Sequence, residues 1–361
     1  MTHPIPPGTR DILPDEMREL RKLSAALLEA FERFGYGEVS TPTIEYEEVL
    51  ARGDERGAPV AYRFFDEGGE LLAMRSDMTI PIARLVANRY GAAEPPFRLC
   101  YLATAYRAVR PQRGQLREFT QAGVELVGVP APEGTAEVIE VLAAALDAAG
   151  LTRAVIGLGN ANLYPEVLAR YGVDEAGRAA VLDRLAAHDR VGLEDEVNAL
   201  GLGEAERETL LGLAELRGGP EVLGRAVELG GEVVEQALGR VRAAYELLRE
   251  RGVAERVQLD LGLLRDLGYY TGAIVEVYDP ALGHILGGGG RYDELMGRFG
   301  RPLPAAGFAL HLERLHVAQA EEERQQATRA DTSSASRPGT QRPDTSSASR
   351  PGVSGSKGDE A

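Results

Sequence analysis

The chain has 361 residues, 44% of them apolar and 27% charged, and its formal net charge is -16. This length allows two or three domains with a sizeable core, whereas the acidity disfavours a tRNA-binding surface, which depends on neutralising phosphates. No apolar run is long enough for a membrane span, and the N-terminal MTHPIPPGTRDILPDE lacks the features of a secretory signal. We therefore expect a cytoplasmic protein with no membrane or tRNA partner.

The first half of the chain predicts one helix and several short strands. Apolar residues recur at three- and four-residue steps from Leu20 to Phe31, which is typical of an amphipathic helix that ends at Gly35. The runs GEVSTP, YRFFD and LLAMRSD have strand-like composition. FRLCYLATAYR and FTQAGVELVGV predict an antiparallel hairpin with a basic turn, whose arginines are Arg107, Arg110, Arg113 and Arg117.

The second half alternates between helices and strands. GTAEVIEVLAAALDAAG predicts a helix from Gly134 to Ala148, and VIGLGN predicts a strand. Residues 164–252 are rich in Ala, Leu, Glu and Arg, which indicates a helical insertion. Strand-like runs return in RVQLDLGLLRDLGYYTGAIVEVYDP, GGGGRYDEL is predicted to turn into a helix, and AAGFALHLERLHVA to pass from strand to helix. The fold class is therefore α+β, with one sheet assembled from distant segments.

The end of the chain has a different composition. DTSSASRPG occurs at residues 331–339 and again at 344–352, in a segment rich in Ser, Pro and Gly. Such a segment has too few apolar groups to offset chain entropy. The predicted division is a folded core over residues 1–320 and a disordered tail over 321–361.

The basic turn has two interpretations. Guanidinium groups at these spacings can converge on a carboxylate or a phosphate, because the arginine fork suits both. Alternatively, the arginines pair with the surplus acidic residues at the surface. The turn by itself does not decide between them.

Polar residues within strand-like sequence are candidates for a binding pocket. Asp77 and Glu125 are flanked by such sequence, and alternation places Gln121 and Glu125 on one face of a strand. Arg265 stands close to Tyr269 and Tyr270, a cation beside two rings that can stack and donate hydrogen bonds. Either carboxylate can instead lie on a solvated face. The glycines of GGGGRYDEL are a weak signal for backbone contact with a ligand.

Cysteine and histidine indicate no further chemistry. The single Cys100 lies in an apolar run, where a buried thiol is expected. The five histidines are scattered without the spacing of metal ligands. We expect no metal and no cofactor.

Six segments, in order, resemble the histidyl branch of the class II aminoacyl-tRNA synthetases. The similarity covers about residues 5–318 and rests on PPGTRDILP, STPTIE, MRSDMT, YRAVRPQRGQLREFTQAGVEL, LLRDLGYYTG and AAGFALHLERL. In that family STPTIE corresponds to motif 1, which builds a dimer interface. YRAVRPQRGQLREFTQAGVEL corresponds to motif 2 and AAGFALHLERL to motif 3. The resemblance implies a class II synthetase-like core, an antiparallel sheet flanked by helices.

The resemblance also implies roles for individual residues. Arg107 and Arg314 match the arginines that hold ATP phosphates, and Arg113 belongs to the same anion site. The positions that match contacts to the amino acid histidine are Asp77, Thr79, Gln121, Glu125, Arg265, Tyr269 and Tyr270.

Several departures from the synthetase pattern affect the ATP site. Val109 stands where motif 2 has a glutamate, and valine cannot accept a hydrogen bond. His311 replaces the motif 3 glycine, Gly268 replaces an aspartate, and Asp77 is shorter than the usual glutamate. The segment after motif 3 is the repeat-bearing tail, where a synthetase has an anticodon-binding domain. No catalytic residue is therefore expected.

This combination resembles the synthetase paralogues that serve as regulatory subunits of ATP phosphoribosyltransferase. They perform no chemistry themselves and assemble with short-form catalytic subunits in the first step of histidine biosynthesis, which joins ATP to phosphoribosyl pyrophosphate. The resemblance implies a dimer within a hetero-oligomer, with histidine as the inhibiting effector. The alternatives are a truncated histidyl-tRNA synthetase, a related ligase that uses ATP and histidine, and a dimeric binding module outside histidine metabolism.

Overall fold

The computed structural model describes residues 4–53, 61–108, 116–265, 268–280 and 282–335. The chain divides into two units, residues 1–322 and 323–361. The first unit holds two β-sheets and the helices packed on them. Of the second unit, only residues 323–335, the end of the last helix, belong to the described part of the chain.

Within the described residues, strands and helices alternate along most of the chain. The strands are β1 (Gly37–Glu38), β2 (Ile44–Tyr46), β3 (Arg63–Phe65), β4 (Leu71–Met74), β5 (Phe97–Tyr106), β6 (Glu118–Val127), β7 (Val155–Asn160), β8 (Arg217–Gly218), β9 (Val257–Asp260), β10 (Ala273–Tyr278), β11 (Gly287–Arg291) and β12 (Ala305–His311). The helices are α1 (Pro14–Arg33), α2 (Glu47–Ala51), α3 (Thr79–Arg89), α4 (Glu133–Ala148), α5 (Leu163–Arg170), α6 (Glu175–Ala186), α7 (Arg190–Ala199), α8 (Glu204–Glu215), α9 (Glu221–Glu250), α10 (Leu295–Arg298) and α11 (Leu312–Ala335). None of these helices is both long and apolar enough to cross a membrane.

The large sheet confirms the predicted α+β fold. In the described part of the chain it has nine strands, in the order β1-β5-β6-β12-β11-β10-β7-β9-β8. The six strands from β5 to β7 in this order pair antiparallel, and the predicted hairpin is β5 with β6. The sheet is mixed rather than purely antiparallel, because β1 joins β5 and β9 joins β7 in parallel. A smaller antiparallel sheet has the order β2-β4-β3.

One face of the large sheet forms the main core. Val124, Phe308 and Val275 point to this face and are buried. Helix α1 contributes its predicted apolar stripe, including Leu27 and Phe31, and α4 packs beside it. Burial of these side chains is the main stabilising term for the sheet. The opposite face carries the buried Leu99 and Tyr101 of β5 together with polar residues of β6 and glycines of β11 and β12.

The segment predicted to be a helical insertion contains five of the helices. Helices α5 to α9 lie between Leu163 and Glu250, and their apolar residues join the main core. The backbone of α9 is interrupted at Gly231, which has a φ of 60°. Glycine adopts this left-handed conformation at little cost.

The segment GGGGRYDEL leads into a helix as predicted, but the helix begins only at the segment's last residue, Leu295, and the segment's first five residues form a strand. Gly287–Arg291 is the buried strand β11, and only the short helix α10 follows. A Cβ atom on Gly289 would lie 2.0 Å from the carbonyl oxygen of Gly307 in β12. The glycines therefore serve close backbone packing within the sheet.

The predicted start of disorder at residue 321 is also corrected. Helix α11 continues through Ala335, because residues 321–330, EEERQQATRA, are mostly strong helix formers. Within the first unit, the buried carboxylate of Glu322 accepts hydrogen bonds from the Thr152 hydroxyl (3.1 Å) and the Arg153 amide (3.2 Å). Residues 336–361, with the second copy of the repeat, lie outside the described residues.

Candidate functional site

Strand β6 carries polar side chains on the sheet face opposite the main core. Gln121 and Glu125 lie on this face with Gly123 between them, and their exposed fractions are only 3% and 2%. On the neighbouring strand β12, His311 is opposite Gln121 and Gly307 is opposite Glu125. The predicted polar wall of β6 therefore exists, and it is buried rather than solvated.

Glu125 is held by two hydroxyl groups from distant segments. Thr79, at the start of α3, donates a hydrogen bond to Glu125 Oε1 (2.8 Å), and the Tyr292 hydroxyl donates to Oε2. Burial raises the pKa of Glu125 to about 8, although both hydrogen bonds oppose the shift and the nearby charge of Asp77 adds to it. A buried carboxyl group with this pKa is poised to gain or lose a proton near neutral pH.

Arg265 supplies the opposite charge. Its Nη1 donates to Glu276 Oε1 (3.1 Å), and Glu276 also accepts a hydrogen bond from the Tyr278 hydroxyl. Arg265 Nε is buried and has no hydrogen-bond partner among the described residues. The same is true of Gln121 Oε1, so the site contains both a buried donor and a buried acceptor that are unsatisfied.

Three tyrosine rings line the same region. The ring centroids of Tyr269 and Tyr270 are 4.9 Å apart, and Tyr269 meets Tyr292 edge to face at 5.9 Å. Tyr269 and Tyr292 are buried in a second apolar cluster with Tyr101 of β5. The site thus combines charged groups with flat aromatic surfaces that can contact a planar group.

Glycines make the room in which these side chains lie. A Cβ atom on Gly307 would be 1.8 Å from Glu125 Oε2, and one on Gly288 would be 1.9 Å from Arg265 Nη1. A Cβ atom on Gly290 would be 2.9 Å from Tyr270 Cδ1. The absence of side chains at these positions in β11 and β12 therefore shapes the site.

The substitution Gly307→Ala is expected to lower the free energy of unfolding by about 1–3 kcal/mol. The added methyl group would meet both the Glu125 carboxylate and the Val124 carbonyl oxygen, the latter at 2.4 Å, so a side-chain rotation cannot relieve the overlap. Urea denaturation followed by circular dichroism measures the change. Gly239→Ala is the matched control, since a Cβ atom there in α9 meets nothing within 4 Å. Equal stability of the two variants would contradict this account of the glycine strands.

A group of cationic residues lies at the His311 end of the site. The guanidinium carbon of Arg107 is 5.0 Å from the Phe119 ring centroid, and the His311 ring is 4.9 Å from the same centroid. Arg314 Nη1 donates to the carbonyl oxygen of Ile285 (2.6 Å). Burial, reinforced by the charges of Arg314, Arg107 and Arg265, holds the pKa of His311 well below its usual value, so its ring is neutral at pH 7.

The structure brings nearly all the predicted site residues together. Asp77 lies two residues before α3, and its Oδ1 accepts a hydrogen bond from the amide of Ile80 in the first turn of that helix (3.4 Å). Its charge is close enough to raise, after the larger effect of burial, the pKa of Tyr269. Arg113 and Val109 lie outside the described residues.

Sequence reasoning missed three kinds of site residue. Tyr292 and Glu276 were not selected, although each lies in a quoted segment, and the glycines of β11 were noted only as a weak signal for backbone contact with a ligand. A clue to Tyr292 and Glu276 was available, because alternation along a strand assigns every second residue to one face. Nothing in the sequence specified that Tyr292 would meet Glu125 or that Glu276 would meet Arg265.

The fold and the site together define a class II aminoacyl-tRNA synthetase core of the histidyl type. A family model described as "Histidyl-tRNA synthetase" matches residues 8–315. The chain belongs to the ATP phosphoribosyltransferase regulatory subunit family, whose members are related to that synthetase.

Individual relatives support this assignment. The ATP phosphoribosyltransferase regulatory subunit of Symbiobacterium thermophilum is 44% identical over 318 residues, which cover 87% of this chain and 79% of that protein. The protein of the same name from Desulforamulus reducens is 42% identical over 314 residues, 86% of this chain and 78% of the relative. A solved structure from Bacillus halodurans, described as "ATP phosphoribosyltransferase regulatory subunit/histidyl-tRNA synthetase", superposes with a TM-score of 0.83 at 33% identity, covering 88% of this chain and 84% of that one.

Proposed function

We propose that this chain is a non-catalytic, cytoplasmic regulatory subunit of ATP phosphoribosyltransferase. In this proposal it forms dimers within a hetero-oligomer with short-form catalytic subunits, supports the first step of histidine biosynthesis, and binds histidine as the inhibiting effector. The names of the relatives support the assignment to this complex. The site geometry supports the choice of effector.

The pair of unsatisfied buried atoms is the observation that carries the ligand assignment. Gln121 Oε1 needs a hydrogen-bond donor and Arg265 Nε needs an acceptor. A buried polar atom left unpaired costs free energy, which a ligand recovers when it supplies the missing partner. One small molecule with an ammonium group and a carboxylate group satisfies both atoms.

The rest of the site fits the histidine zwitterion. Glu125 adds a carboxylate for the ammonium group or for an imidazole N–H group, and Arg265 receives the ligand carboxylate through a charge-assisted hydrogen bond. The rings of Tyr269 and Tyr270 offer flat surfaces for the imidazole. Asp77, two residues before Thr79, adds a second carboxyl group near Glu125, and Thr79 at the start of α3 holds Glu125 through its hydrogen bond.

The end of the site near His311 favours a regulatory role over adenylation of histidine. Arg107 and Arg314 belong to the vestigial anion site that the resemblance implies, but the neutral imidazole of His311 lies against the Phe119 ring, which the Arg107 guanidinium also contacts. A side chain in this position reduces the room for a nucleotide. In this proposal histidine binds without being activated.

Binding alone regulates a partner only if the ligand prefers one state of the complex. A difference in histidine affinity worth about 1–3 kcal/mol between an active and an inactive assembly shifts the equilibrium between these two assemblies by about 5- to 150-fold. The chain then acts as a sensor whose site shifts the equilibrium of the complex.

The proposal is tested by mixing the purified chain with a short-form catalytic subunit and measuring phosphoribosyl transfer from phosphoribosyl pyrophosphate to ATP. We expect the activity to require both chains and histidine to inhibit it. Glu125→Gln should raise the histidine concentration for half-inhibition, whereas Glu118→Gln, at the exposed start of the same strand, should not. Activity of the catalytic subunit that is independent of this chain would contradict the proposal, and histidine-dependent ATP–pyrophosphate exchange by the chain alone would favour a ligase.

A further inference from the structure

A second cavity, of about 320 Å³, lies within the first unit and shares none of the residues assigned above to histidine. It is formed by the beginning of α4, the end of β7, helices α5 and α9, and the segments around Thr271 and Arg291. Its volume is at the lower end of the range for small-molecule sites. Nothing in the proposed function uses it.

The floor of this cavity is polar and held in place by its own hydrogen bonds. The buried Asn160 donates to the carbonyl oxygen of Ala237 in α9 (2.7 Å) and accepts from the amide of Asn162 (3.1 Å). The side chain of Asn162 donates to the carbonyl oxygen of Thr271 (3.1 Å). The buried Arg291 is paired with Asp293. Such a rigid polar floor suits a hydrogen-bonding ligand and disfavours an apolar one.

Two opposite charges stand at the rim on facing helices. Glu166 of α5 and Arg240 of α9 both line the cavity, and within the described part of the chain neither makes an ion pair or a side-chain hydrogen bond. Burial raises the pKa of Glu166, and Arg240 opposes this shift, so the two groups sense each other's charge without contact. A carboxylate and a guanidinium group separated by a cleft are complementary to a molecule that carries both signs.

Two of the segments that line the cavity also carry tyrosines of the histidine site. Thr271 and Gly272 line the cavity and directly follow Tyr269 and Tyr270. Arg291 and Asp293 line it as well, and between them stands Tyr292, which donates to Glu125. The two segments are tied together, since the Thr271 amide donates to the carbonyl oxygen of Arg291 (2.8 Å) and the Asp293 amide donates to the Thr271 hydroxyl (2.8 Å).

We propose that this cavity is a second binding site for a small zwitterion of amino-acid size, with its carboxylate on Arg240 and its ammonium group on Glu166. Occupancy of this site changes the affinity of the first site, because any shift of the Thr271 or Arg291 segment also moves Tyr270 or Tyr292. The inference goes beyond the proposed function, and the existence of the second site does not depend on it.

Calorimetry on the Glu125→Gln chain tests the second site while the first site is weakened. The probes are glycine, L-glutamine and L-histidine. We expect at least one of them to bind with one site per chain. Arg240→Ala or Glu166→Gln, each added to the Glu125→Gln chain, should weaken that binding at least tenfold, because a charge-assisted hydrogen bond is lost. Arg225→Ala, on the same helix but not lining the cavity, is the matched control and should leave the binding unchanged.

The outcomes separate this inference from the proposed function. Absence of binding by all three probes at millimolar concentration, or binding that survives both Arg240→Ala and Glu166→Gln, overturns the second site. In the wild-type chain, the binding probe should change the histidine affinity of the first site by about fivefold or more, and an unchanged affinity overturns the coupling. Binding to the second site in a wild-type chain whose first site does not bind histidine would overturn the proposed function alone.

Discussion

Replacing Arg265 by alanine is expected to destabilise the chain by about 3 kcal/mol and to abolish tight binding of histidine. The substitution leaves the carboxylate of Glu276, which is 4% exposed, without the cation that lies 3.1 Å from it. It also removes the buried N–H donor that we assign to the carboxylate of histidine. Urea denaturation measures the first effect and isothermal titration calorimetry the second.

A double variant separates the two roles of Arg265. Adding Glu276→Gln to Arg265→Ala removes the uncompensated buried charge and keeps an acceptor for the Tyr278 hydroxyl. Most of the lost stability should return, while histidine binding should remain absent. Recovery of binding in the double variant would show that Arg265 supports the fold and does not contact the ligand.

Replacing Glu125 by glutamine is expected to weaken histidine binding by about 10- to 100-fold, because a charge-assisted hydrogen bond to the ammonium group is lost. The substitution preserves most of the local structure, since glutamine has nearly the shape of a protonated glutamate and its side-chain oxygen accepts a hydrogen bond from Thr79 or Tyr292. Calorimetry at pH 8 measures the difference. Glu118→Gln should bind histidine like the wild-type chain.

The affinity for histidine should depend on pH through Glu125. Its pKa in the unliganded chain is about 8, so below that pH the group is mostly protonated and must release a proton to hold an ammonium group. The apparent affinity of the wild-type chain should therefore fall about tenfold for each pH unit below 8. The ratio of wild-type to Glu125→Gln affinities cancels the ionisation of histidine itself. A ratio that stays constant between pH 6.5 and 8 would contradict the assignment.

The same pKa predicts how the stability of the unliganded chain changes with pH. An ordinary glutamate loses its proton near pH 4.5, whereas folded Glu125 keeps its proton up to about pH 8. Between these values the unfolded state binds fewer protons than the folded state, so this group lowers the free energy of unfolding by about 1.4 kcal/mol per pH unit as the pH rises. The Glu125→Gln chain should lack this contribution in denaturation experiments across the same pH range.

The elements that repeat a local pattern were open to prediction from the sequence. The apolar stripe of α1, the paired strands β5 and β6, and the position of Gln121 and Glu125 on one face all follow from residue periodicity. The ordered synthetase-like motifs added the synthetase-like fold and most of the residues that meet at the site. The role of Arg113 in the anion site stays a prediction, because this residue of the basic turn lies outside the described residues.

Elements whose secondary structure depends on contacts with distant parts of the chain were predicted less well. Polyglycine has no periodicity, so GGGGR gave no sign that it forms a buried strand whose missing side chains leave room for Arg265 and Tyr270. The predicted tail begins inside α11, because residues 321–330 favour a helix. The prediction of disorder gave more weight to the composition of the nearby repeat than to this helix propensity.

The sequence by itself determined the α+β class, the order of the motifs and the chemical types available to the site, because these depend on residues close together in the chain. Only the tertiary structure decided that Tyr292 meets Glu125, that Glu276 neutralises Arg265, and that Glu166 and Arg240 face a second cavity. The physical reason is that burial and pairing depend on which distant strands and helices become neighbours. Those contacts, rather than the residue types, set the pKa of Glu125 and leave Gln121 and Arg265 with groups for a ligand to satisfy.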